Sequence, residues 1–508
     1  MKTVLISVLI IAVEYHIFRR MENENSGKVM VRTRFAPSPT GYMHIGNLRT
    51  ALYAYLTAKR DGGKFILRIE DTDSKRTVED SVEVIYSSLK LAGIGYDEGP
   101  VVGGVYGPYI QSERREIYAK YINELLGSGK AFRCFCTKEE LEKEKEEFSK
   151  MFPDKPFRDK CRDMTNEEVS RKLSDGISFV VRQRIPEAGS TTFHDMVFGS
   201  ITVENNTLDE QVLLKADGLP TYNFANVVDD HLMEITHVIR GYEYLSSAPK
   251  YNLLYESFGW NIPEYIHLPH ILREDGKKLS KREGDASFQD LIDLGYLPSA
   301  VINYIAMLGW NPGTEEEFFT LDDLVQKFTP ERINKSNAIF TYSKLTWLNN
   351  LHIKAMPFEE FHKKASECYS DDLKAKVDTE MVSRLIQERL ETFRQIPEKT
   401  EFFVKVPSYD KELYTHKKMK SDPDSAKVML EKMIPYFESI GDWNNETVFG
   451  ALQELIQSEG CKAGTVLWPA RIALSGVSAT PGGASEIAHV IGKEETMRRI
   501  KEAVEFLK

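Results

Sequence analysis

The first regular pattern of apolar and polar positions lies between residues 29 and 70. Apolar residues predict a strand over Met30–Phe35, and helical spacing predicts a helix over Asn47–Arg60 after a loop that contains Pro and Gly. A Gly62-Gly63 turn then leads to a second predicted strand, Lys64–Glu70. This βαβ order predicts a parallel sheet that binds a ligand at the carboxyl ends of its strands.

The pattern then alternates between helices and strands before it becomes helical. Helices are predicted over Thr77–Ala92 and Arg114–Gly127, an exposed charged helix or hairpin arm over Lys138–Lys150, and strands of an inserted subdomain around Ile177–Ile185 and Ser200–Val203. The parallel sheet is predicted to resume with Val212–Lys215 and Glu234–Ile239. From about Phe288 helical periodicity dominates, so the tail from about Trp347 is predicted to be all helical.

Length and composition narrow the class of protein. A chain of 508 residues that is 42% hydrophobic can form several cores, and three or four compact units are expected. The formal charge of -11 argues against a nucleic-acid partner for the surface as a whole, because phosphate contacts need cations. Local basic clusters at Lys277-Lys278, Lys281-Arg282 and Lys417-Lys418 leave room for a basic face.

The N-terminus and the cysteines bear on the compartment. Lys2 and the apolar run Val4–Val13 resemble the start of a signal peptide, but the run is shorter than the about 20 residues that span a bilayer. No small-residue cleavage site follows, so residues 1–20 are expected to lie upstream of the true start or to form a dispensable extension. Five cysteines do not make a secreted disulfide framework, and a reducing, cytoplasmic location without membrane contact is expected.

Two motifs suggest nucleotide chemistry. Pro37-Ser-Pro-Thr-Gly41 is a rigid turn, and His44-Ile-Gly46 opens a helix whose N-terminal N–H groups suit a phosphate. Thr40 or Asn47 is predicted to cap this helix, Gly46 leaves space for a flat base, and His44 is placed to donate a hydrogen bond to phosphate. The polar loop with Lys278-Leu-Ser-Lys-Arg282 offers cations that suit the departing pyrophosphate.

Together these two motifs resemble the HIGH and KMSKS motifs of class I aminoacyl-tRNA synthetases, with Asn47 in place of the final His. Further segments, in order, resemble bacterial glutamyl-tRNA synthetases: Arg34-Phe-Ala-Pro-Ser-Pro-Thr-Gly41, Leu67-Arg-Ile-Glu-Asp-Thr-Asp73, Tyr96-Asp-Glu-Gly-Pro100, Gly107-Pro-Tyr-Ile-Gln-Ser-Glu-Arg114, Asp217-Gly-Leu-Pro-Thr-Tyr-Asn-Phe-Ala-Asn-Val-Val-Asp-Asp-His231 and Val238-Ile-Arg240. The resemblance extends from Val31 through Trp347-Leu-Asn349 to Arg471-Ile-Ala-Leu-Ser-Gly476 and Ile491-Gly-Lys-Glu494.

The resemblance implies an α/β fold: a Rossmann-type class I synthetase catalytic domain with an inserted acceptor-binding subdomain, followed by an all-α anticodon-binding domain. The expected divisions are an N-terminal extension (1–28), the first catalytic half (29–113), the acceptor-stem insert (114–210), the second catalytic half (211–275), the KMSKS loop and stem-contact domain (276–346) and the anticodon-binding domain (347–508).

The implied reaction is the activation of L-glutamate with ATP and Mg²⁺, followed by transfer of glutamate to tRNA(Glu). His44 and Lys281 are expected to be catalytic. Expected ATP contacts are Pro37, Ser38, Thr40, Gly41, His44, Gly46, Asn47, Glu243, Lys278, Leu279, Ser280, Lys281 and Arg282. Expected glutamate contacts are Arg34, Ala36, Ser38, Glu70, Tyr222, Asn226 and Arg240.

The chemistry of glutamate independently calls for such residues, because two carboxylates and an ammonium need guanidinium groups and an acceptor. By resemblance Arg240, helped by Arg34, holds the side-chain carboxylate, while Glu70, Tyr222 and Ser38 hold the backbone end. The alternative is that Arg34 and Glu70 only pair with each other.

Cysteines also form a candidate metal site. Cys134-Phe-Cys136 and Cys161-Arg-Asp163 can supply four ligands to a tetrahedral Zn²⁺, with Asp163 where some bacterial members of the family have His. The alternative is a metal-free insert with three reduced thiols. Cys368 and Cys461 are expected to be ordinary buried residues.

Other functions are weighed against this one. Glutaminyl-tRNA synthetases usually end in β-barrels, and a shorter paralogue that glutamylates a modified tRNA base lacks the anticodon domain, so the helical tail disfavours both. A non-catalytic tRNA-binding regulatory protein is expected to have lost Lys281, His44 or Arg240, and this chain keeps all three. A form that also charges tRNA(Gln) stays open. The resemblance favours a monomer.

Overall fold

The computed structural model describes residues 29–39, 41–73, 81–153, 157–279 and 287–508. The expected N-terminal extension therefore lies outside the described residues. The chain divides into two compact units. The first contains the described residues up to Leu291 together with Val301–Thr341, and the second contains Ile292–Ala300 with Tyr342–Lys508.

The predicted βαβ unit opens the first compact unit. Strand β1 (Arg32–Phe35) lies parallel to β2 (Lys64–Leu67), and helix α1 (Ile45–Arg60) connects them. The helix begins two residues before the predicted start, because His44 rather than Asn47 occupies the N-cap. At the return turn, Gly63 donates its N–H to Ala58, and a β-carbon there would lie 2.0 Å from the carbonyl oxygen of Val31. Only glycine permits this close approach.

The other strands form small sheets. One antiparallel sheet has the order β3-β4-β7, a four-stranded sheet has the order β6-β5-β9-β8, and β10 pairs in parallel with β11. In the four-stranded sheet β9 lies parallel to both β5 and β8. The strands are β3 (Ala131–Cys134), β4 (Val180–Gln183), β5 (Ser190–Asp195), β6 (Gly199–Glu204), β7 (Val212–Leu214), β8 (His237–Gly241), β9 (Glu264–Leu268), β10 (Ile271–Leu272) and β11 (Ala338–Ile339).

Two predicted strand assignments are wrong about the sheet that each strand joins. The strand β7 does not resume the parallel sheet but pairs antiparallel with β4 of the inserted region. Conversely, the strand predicted within the insert at Ser200–Val203 lies in β6, which pairs with β5, and β5 joins β9 through the parallel pair Asp195 and Tyr265. Alternating apolar residues identify a strand, but they carry no information about its neighbour.

Three predicted segments, Thr77–Ala92, Arg114–Gly127 and Lys138–Lys150, are helical to within a few residues at each described end, whereas the helices Asn166–Ser174, Tyr222–Leu232 and Ala248–Phe258 were not predicted. The further helices of the first unit thus agree only in part with the prediction. They are α2 (Ser81–Leu91), α3 (Arg115–Gly127), α4 (Lys138–Met151), α5 (Asn166–Ser174), α6 (Tyr222–Leu232), α7 (Ala248–Phe258), α8 (Phe288–Asp293), α9 (Pro298–Met307) and α10 (Leu321–Lys327), of which α8 and α9 are shared with the second unit. The charged segment predicted as a helix or hairpin arm is the helix α4, which buries no residue and begins with a capping box between Thr137 and Glu140.

The second unit is helical throughout its described length, as predicted. Its further helices are α11 (Tyr342–Ala355), α12 (Phe358–Cys368), α13 (Asp371–Lys376), α14 (Thr379–Gln387), α15 (Ile396–Val404), α16 (Pro423–Glu438), α17 (Asn445–Ser458), α18 (Ala463–Ser475), α19 (Ala484–Ile491) and α20 (Lys493–Phe506). They pack around one apolar core. Among the described residues no helix has the length and apolar character to span a membrane.

A buried arginine cross-links helices of this second core. Arg499 is 2% exposed, and its guanidinium donates to the carbonyl oxygens of Phe402 (2.8 Å), Leu474 (2.6 Å) and Phe403 (3.0 Å). Its Nε also donates to Glu495 at 2.7 Å. Each of these carbonyl groups would lose a hydrogen-bond partner without the arginine, and buried polar groups without partners are costly.

We therefore predict that Arg499→Met lowers the free energy of unfolding of this unit by about 3 kcal/mol. The neighbour Arg498 is the matched control, because it makes ion pairs with Glu495 and Glu502 at the surface, and Arg498→Met should cost less than about 1 kcal/mol. Urea denaturation followed by far-UV circular dichroism measures both variants. Equal losses in the two variants would show that Arg499 has no special role.

Candidate active site

A cavity of about 340 Å³ opens where the carboxyl ends of several strands meet the start of α1. Its walls come from the segments that follow β1, β2, β8 and β9, as the βαβ pattern predicts. The residues that line it are Arg34, Phe35, Ala36, Pro37, Ser38, His44, Gly46, Asn47, Arg49, Thr50, Glu70, Tyr222, Ile239, Arg240, Gly241, Glu243, Tyr244, Leu268, Pro269, His270, Ile271, Lys278 and Leu279.

His44 is held in a defined orientation at the start of α1. It is the N-cap residue, and its Nδ1 accepts a hydrogen bond from the backbone N–H of Gly46 at 3.0 Å. A neutral ring whose Nδ1 accepts must carry its proton on Nε2. The His44 ring is therefore a donor through Nε2 on the wall of the cavity, beside a helix N-terminus that favours anions.

A buried network of charges lies behind the cavity. Arg34 donates through Nε to Asp230 at 2.9 Å, and Arg68 donates to the same carboxylate oxygen at 2.8 Å. Arg68 also donates to Glu70 at 3.2 Å. The alternative that Arg34 and Glu70 only pair with each other is therefore wrong, because each has a different principal partner.

The network continues through the second carboxylate of the Asp229-Asp230 pair. Asp229 accepts hydrogen bonds from Arg114, Gln111 and Tyr118, each at 2.8 Å. All of these side chains are buried. Every oxygen of Asp229 thus has a partner, and the carboxylate is held rigidly in the core.

Glu70 lies at the edge of this network and has a raised pKa. Burial raises its pKa to about 7, although the neighbouring Arg68 and Arg34 act in the opposite direction. The Asp230 carboxylate adds to the increase. Glu70 is thus a carboxylate whose charge state changes near neutral pH, at the wall of the cavity.

Arg240 brings a buried cation to the cavity wall. It is 4% exposed and lies 4.7 Å from the ring centre of Tyr251 and 5.0 Å from that of Tyr265. Its Nε donates to Nε2 of His267 at 2.9 Å, while its buried Nη2 makes no hydrogen bond to any atom of the described chain. A buried guanidinium with an unused donor fits an anionic ligand.

Both described ends of the lysine-rich loop reach this cavity. Lys278 forms a bridge with Leu272, and Leu279 lines the wall. On the far side of the loop, Ser287 forms a bridge with His44. The predicted contacts Ser280, Lys281 and Arg282 lie outside the described residues, as does Thr40.

Two predicted contacts do not line the cavity. The side chain of Asn226 is turned away to donate to the carbonyl oxygen of Tyr222 at 2.5 Å, one helical turn earlier. Gly41 lies in the turn before α1 with a φ of 101°, outside the lining residues. All other described residues predicted to bind ATP or the amino acid line this one cavity.

Three cysteines meet in the inserted region, with a fourth group that differs from the predicted one. Sulfur atoms of Cys134, Cys136 and Cys161 and a carboxylate oxygen of Asp159 all lie within 4.8 Å of one another. The predicted fourth ligand, Asp163, is instead 83% exposed at the side chain and faces Arg162. The reason is local: Asp159 caps the 3-10 helix Lys160–Asp163 from its start, which points its carboxylate toward the thiols.

Comparison with protein families agrees with this architecture. Residues 30–347 match the model of "tRNA synthetases class I (E and Q), catalytic domain", and residues 350–504 match the model of an "Anticodon binding domain". The chain belongs to the class I tRNA synthetases (E and Q). The predicted fold class is thereby confirmed: a class I synthetase catalytic domain is followed in sequence by a helical anticodon-binding domain.

Individual members of the family resemble the chain over nearly its full length. It is 53% identical to the glutamate–tRNA ligase of Clostridium tetani over 94% of this chain and 98% of that protein. It is 54% identical to that of Clostridium acetobutylicum over 94% and 99%. A crystal structure of a glutamate tRNA ligase from Elizabethkingia meningosepticum in complex with its amino acid has a TM-score of 0.83 and 36% identity, over 94% of this chain and all of that one.

Several side chains of the site were not identified from the sequence. Asp230 carries a detectable signal, because two adjacent acids follow the apolar pair Val227-Val228 near the end of the helix α6. Arg49 similarly interrupts the buried face of α1, where it donates to the carbonyl oxygens of Leu308 and Pro269. His267 carries no such signal, since a histidine in a short strand is most often an ordinary core residue.

Because the pKa of Glu70 is about 7, we predict that the cavity binds the ammonium group of L-glutamate more weakly as the pH falls below that value. Below the pKa Glu70 is a neutral acid and no longer attracts a cation, whereas above it the full carboxylate is present. Isothermal titration calorimetry between pH 5.5 and 8.5 measures the change. Glu70→Gln should bind weakly at every pH, and a pH-dependent affinity in that variant would contradict the assignment.

Proposed function

We propose that this protein is a glutamate–tRNA ligase, which activates L-glutamate with ATP to glutamyl-adenylate and transfers the glutamate to the 3′ terminal adenosine of tRNA(Glu). The observation that carries the proposal is the buried Arg240 guanidinium, which has an unused donor in a cavity of amino-acid size. The identity of 53% to a glutamate–tRNA ligase over 94% of the chain supports the same substrate.

The amino acid is proposed to lie between two walls of opposite charge. Arg240, with Arg34 nearby, receives the side-chain carboxylate, and Glu70 receives the ammonium group together with Tyr222 and Ser38. Glutamine has a neutral amide in place of the side-chain carboxylate, so it cannot form an ion pair with Arg240. Ala36 lines the same wall, and Asn226 supports it by holding the Tyr222 carbonyl.

ATP is proposed to occupy the end of the cavity next to α1. The Nε2–H of His44 donates to phosphate, and the base packs against the backbone at Gly46. The cations Lys278 and Lys281, with Arg282, balance the charge of the departing pyrophosphate. Mg²⁺, when bound with ATP, would supply further positive charge at the phosphates. The remaining proposed ATP contacts are Pro37, Ser38, Thr40, Gly41, Asn47, Glu243, Leu279 and Ser280.

The chemistry then needs positioning more than covalent catalysis. The α-carboxylate of glutamate attacks the α-phosphorus of ATP in line, and pyrophosphate leaves with the P–O bond electrons. The terminal ribose hydroxyl of the tRNA then attacks the glutamyl carbonyl, and AMP leaves. The residues named above hold the two substrates close together and stabilise the charge that develops.

The two compact units are proposed to share the work on tRNA. The first carries the catalytic cavity, and the second, which matches an anticodon-binding domain, reads the anticodon. We further propose that the protein acts as a monomer in the cytoplasm, where its five cysteines, all of them free thiols, remain reduced.

The test is a charging assay with L-glutamate, ATP and purified tRNA(Glu), in parallel with tRNA(Gln). We expect glutamyl-tRNA(Glu), and we expect ATP–pyrophosphate exchange with glutamate to require the tRNA. Arg240→Ala should abolish glutamate use and leave ATP binding intact. Failure of the wild-type protein to charge either tRNA would leave the non-catalytic tRNA-binding alternative, while unchanged glutamate kinetics in Arg240→Ala would remove that residue from the pocket.

The cysteine cluster is proposed to bind a structural Zn²⁺. The Sγ atoms of Cys136 and Cys161 lie 3.6 Å apart, close to the separation of about 3.7 Å expected between two thiolates on one tetrahedral Zn²⁺. Asp159 completes a set of three sulfur ligands and one oxygen ligand. When bound, the ion cross-links the end of β3 to the 3-10 helix at Lys160–Asp163.

We expect about one zinc ion per purified chain, measured by inductively coupled plasma mass spectrometry. Cys134→Ser should lose zinc. The pair of acidic residues supplies a matched comparison. Asp159→Asn should reduce the zinc content, while Asp163→Asn should retain it. Equal zinc content in all of these variants would favour the alternative of a metal-free insert.

A further inference from the structure

Arg240 is oriented by a neighbour that sits directly opposite it in the sheet. In the parallel pair of β8 and β9, Arg240 lies opposite His267, and its Nε donates to Nε2 of that histidine at 2.9 Å. The side chain of His267 is fully buried. The guanidinium group therefore has a fixed anchor at Nε, and its buried Nη2 makes no hydrogen bond to any atom of the described chain.

The anchor has a defined tautomer. The Nε of an arginine is a donor only, so Nε2 of His267 must accept, and the ring proton must lie on Nδ1. Nδ1 is 2.6 Å from Oδ2 of Asp195, and this oxygen accepts a hydrogen bond from the Nδ1–H group. Burial lowers the pKa of His267 to about 4, against the opposing effect of the Asp195 hydrogen bond, so the ring is neutral at neutral pH.

Asp195 is itself held on both oxygens. Its Oδ1 accepts from the backbone N–H of Val197 at 2.9 Å and of Phe198 at 2.8 Å. Its Oδ2 accepts from the ring and, at 3.1 Å, from the backbone N–H of His267. The three side chains thus form a chain of hydrogen bonds, from the β5 end through β9 to the cavity wall.

The partner of Arg240 differs in kind from the partners of two other buried arginines of the site, Arg34 and Arg68. Arg34 and Arg68 each make direct ion pairs with Asp230. A carboxylate in direct contact with Arg240 would compete with a ligand carboxylate for the same donors. A neutral imidazole fixes the orientation of the guanidinium and leaves its charge available.

We propose that His267, oriented by Asp195, is the positioning residue that turns the Arg240 guanidinium toward the side-chain carboxylate of the substrate. This inference rests on the proposed function. It assigns part of the preference for glutamate over glutamine to two residues that contact neither substrate. The preference depends on where the Arg240 donors point as well as on the presence of the charge.

The sharpest test is a pair of amide substitutions at His267. In His267→Asn the amide nitrogen can replace Nδ1 and bond to Asp195, but nothing accepts from Arg240. In His267→Gln the longer side chain can bring its carbonyl oxygen to the place of Nε2. We expect His267→Asn to raise KM for glutamate about 10-fold or more, the effect of one lost charge-assisted hydrogen bond, with kcat and the KM for ATP within about threefold.

His267→Gln should have a KM for glutamate close to that of the wild type. In His267→Asn, the ratio of kcat/KM for glutamate to kcat/KM for glutamine should fall as the KM for glutamate rises. The exposed neighbour of Asp195 gives a matched control, because His194→Asn changes the same residue type on β5 outside the hydrogen-bond chain and should leave KM unaltered. Thermal unfolding of each variant reports whether it is folded.

Asp195→Asn supplies an independent arm with the same size of side chain. Two backbone N–H groups hold Oδ1 and one meets Oδ2, so the amide oxygen keeps the place of Oδ1. The amide nitrogen then replaces Oδ2, loses the bond from the N–H of His267 and donates to Nδ1 of that residue. The ring proton then moves to Nε2 and faces the donor of Arg240. We expect the KM for glutamate to rise as in His267→Asn, and this variant together with His267→Gln decides the question if His267→Asn does not fold.

Wild-type KM and wild-type discrimination in folded His267→Asn or Asp195→Asn would overturn the inference. Equal impairment of His267→Asn and His267→Gln would also overturn it, because a purely structural role does not distinguish the two. The proposed function fails separately, by an inactive wild-type protein or by unchanged glutamate kinetics in Arg240→Ala.

Discussion

The catalytic cavity depends on one adjacent pair of buried carboxylates, Asp229 and Asp230. Between them they bind Arg34 at the end of β1, Arg68 just after β2 and Arg114 at the start of α3. Moving an unpaired ion into a protein interior costs several kcal/mol, so each of these charges needs its partner in place. The pair therefore fixes the positions of the backbone segments from which the walls of the cavity are built.

Two of the groups proposed to meet the substrate, Glu70 and Arg240, are compensated by this network only weakly. Glu70 receives only part of the charge of Arg68, which it shares with Asp230, and burial therefore raises its pKa to about 7. Arg240 lies outside the network and has a neutral histidine as its partner. The cavity thus contains an anion whose charge changes near neutral pH and a cation with no carboxylate in direct contact, the complement of an amino acid with an acidic side chain.

In the inserted region, the direction of a carboxylate decides whether it lies near the cysteines. Asp159 and Asp163 stand at opposite ends of one short 3-10 helix. The first turns back to bond the N–H of Cys161 and so lies beside the thiols, whereas the second faces solvent. Spacing to the cysteines alone favoured Asp163, because a two-residue offset from Cys161 matches the Cys-x-Cys pair on the other side.

The sequence by itself determined the βαβ start, the helical second unit and most of the cavity walls. Apolar periodicity is a local property of the sequence. Arg34, Glu70 and Arg240 each lie in a short sequence motif that can be recognised without the structure. Only the tertiary structure decided which sheet β7 and the β5-β6 hairpin join. It alone also showed that Asp195 and His267, 72 positions apart, support Arg240, because contacts between distant strands depend on how the sheet is assembled and leave no pattern within either strand.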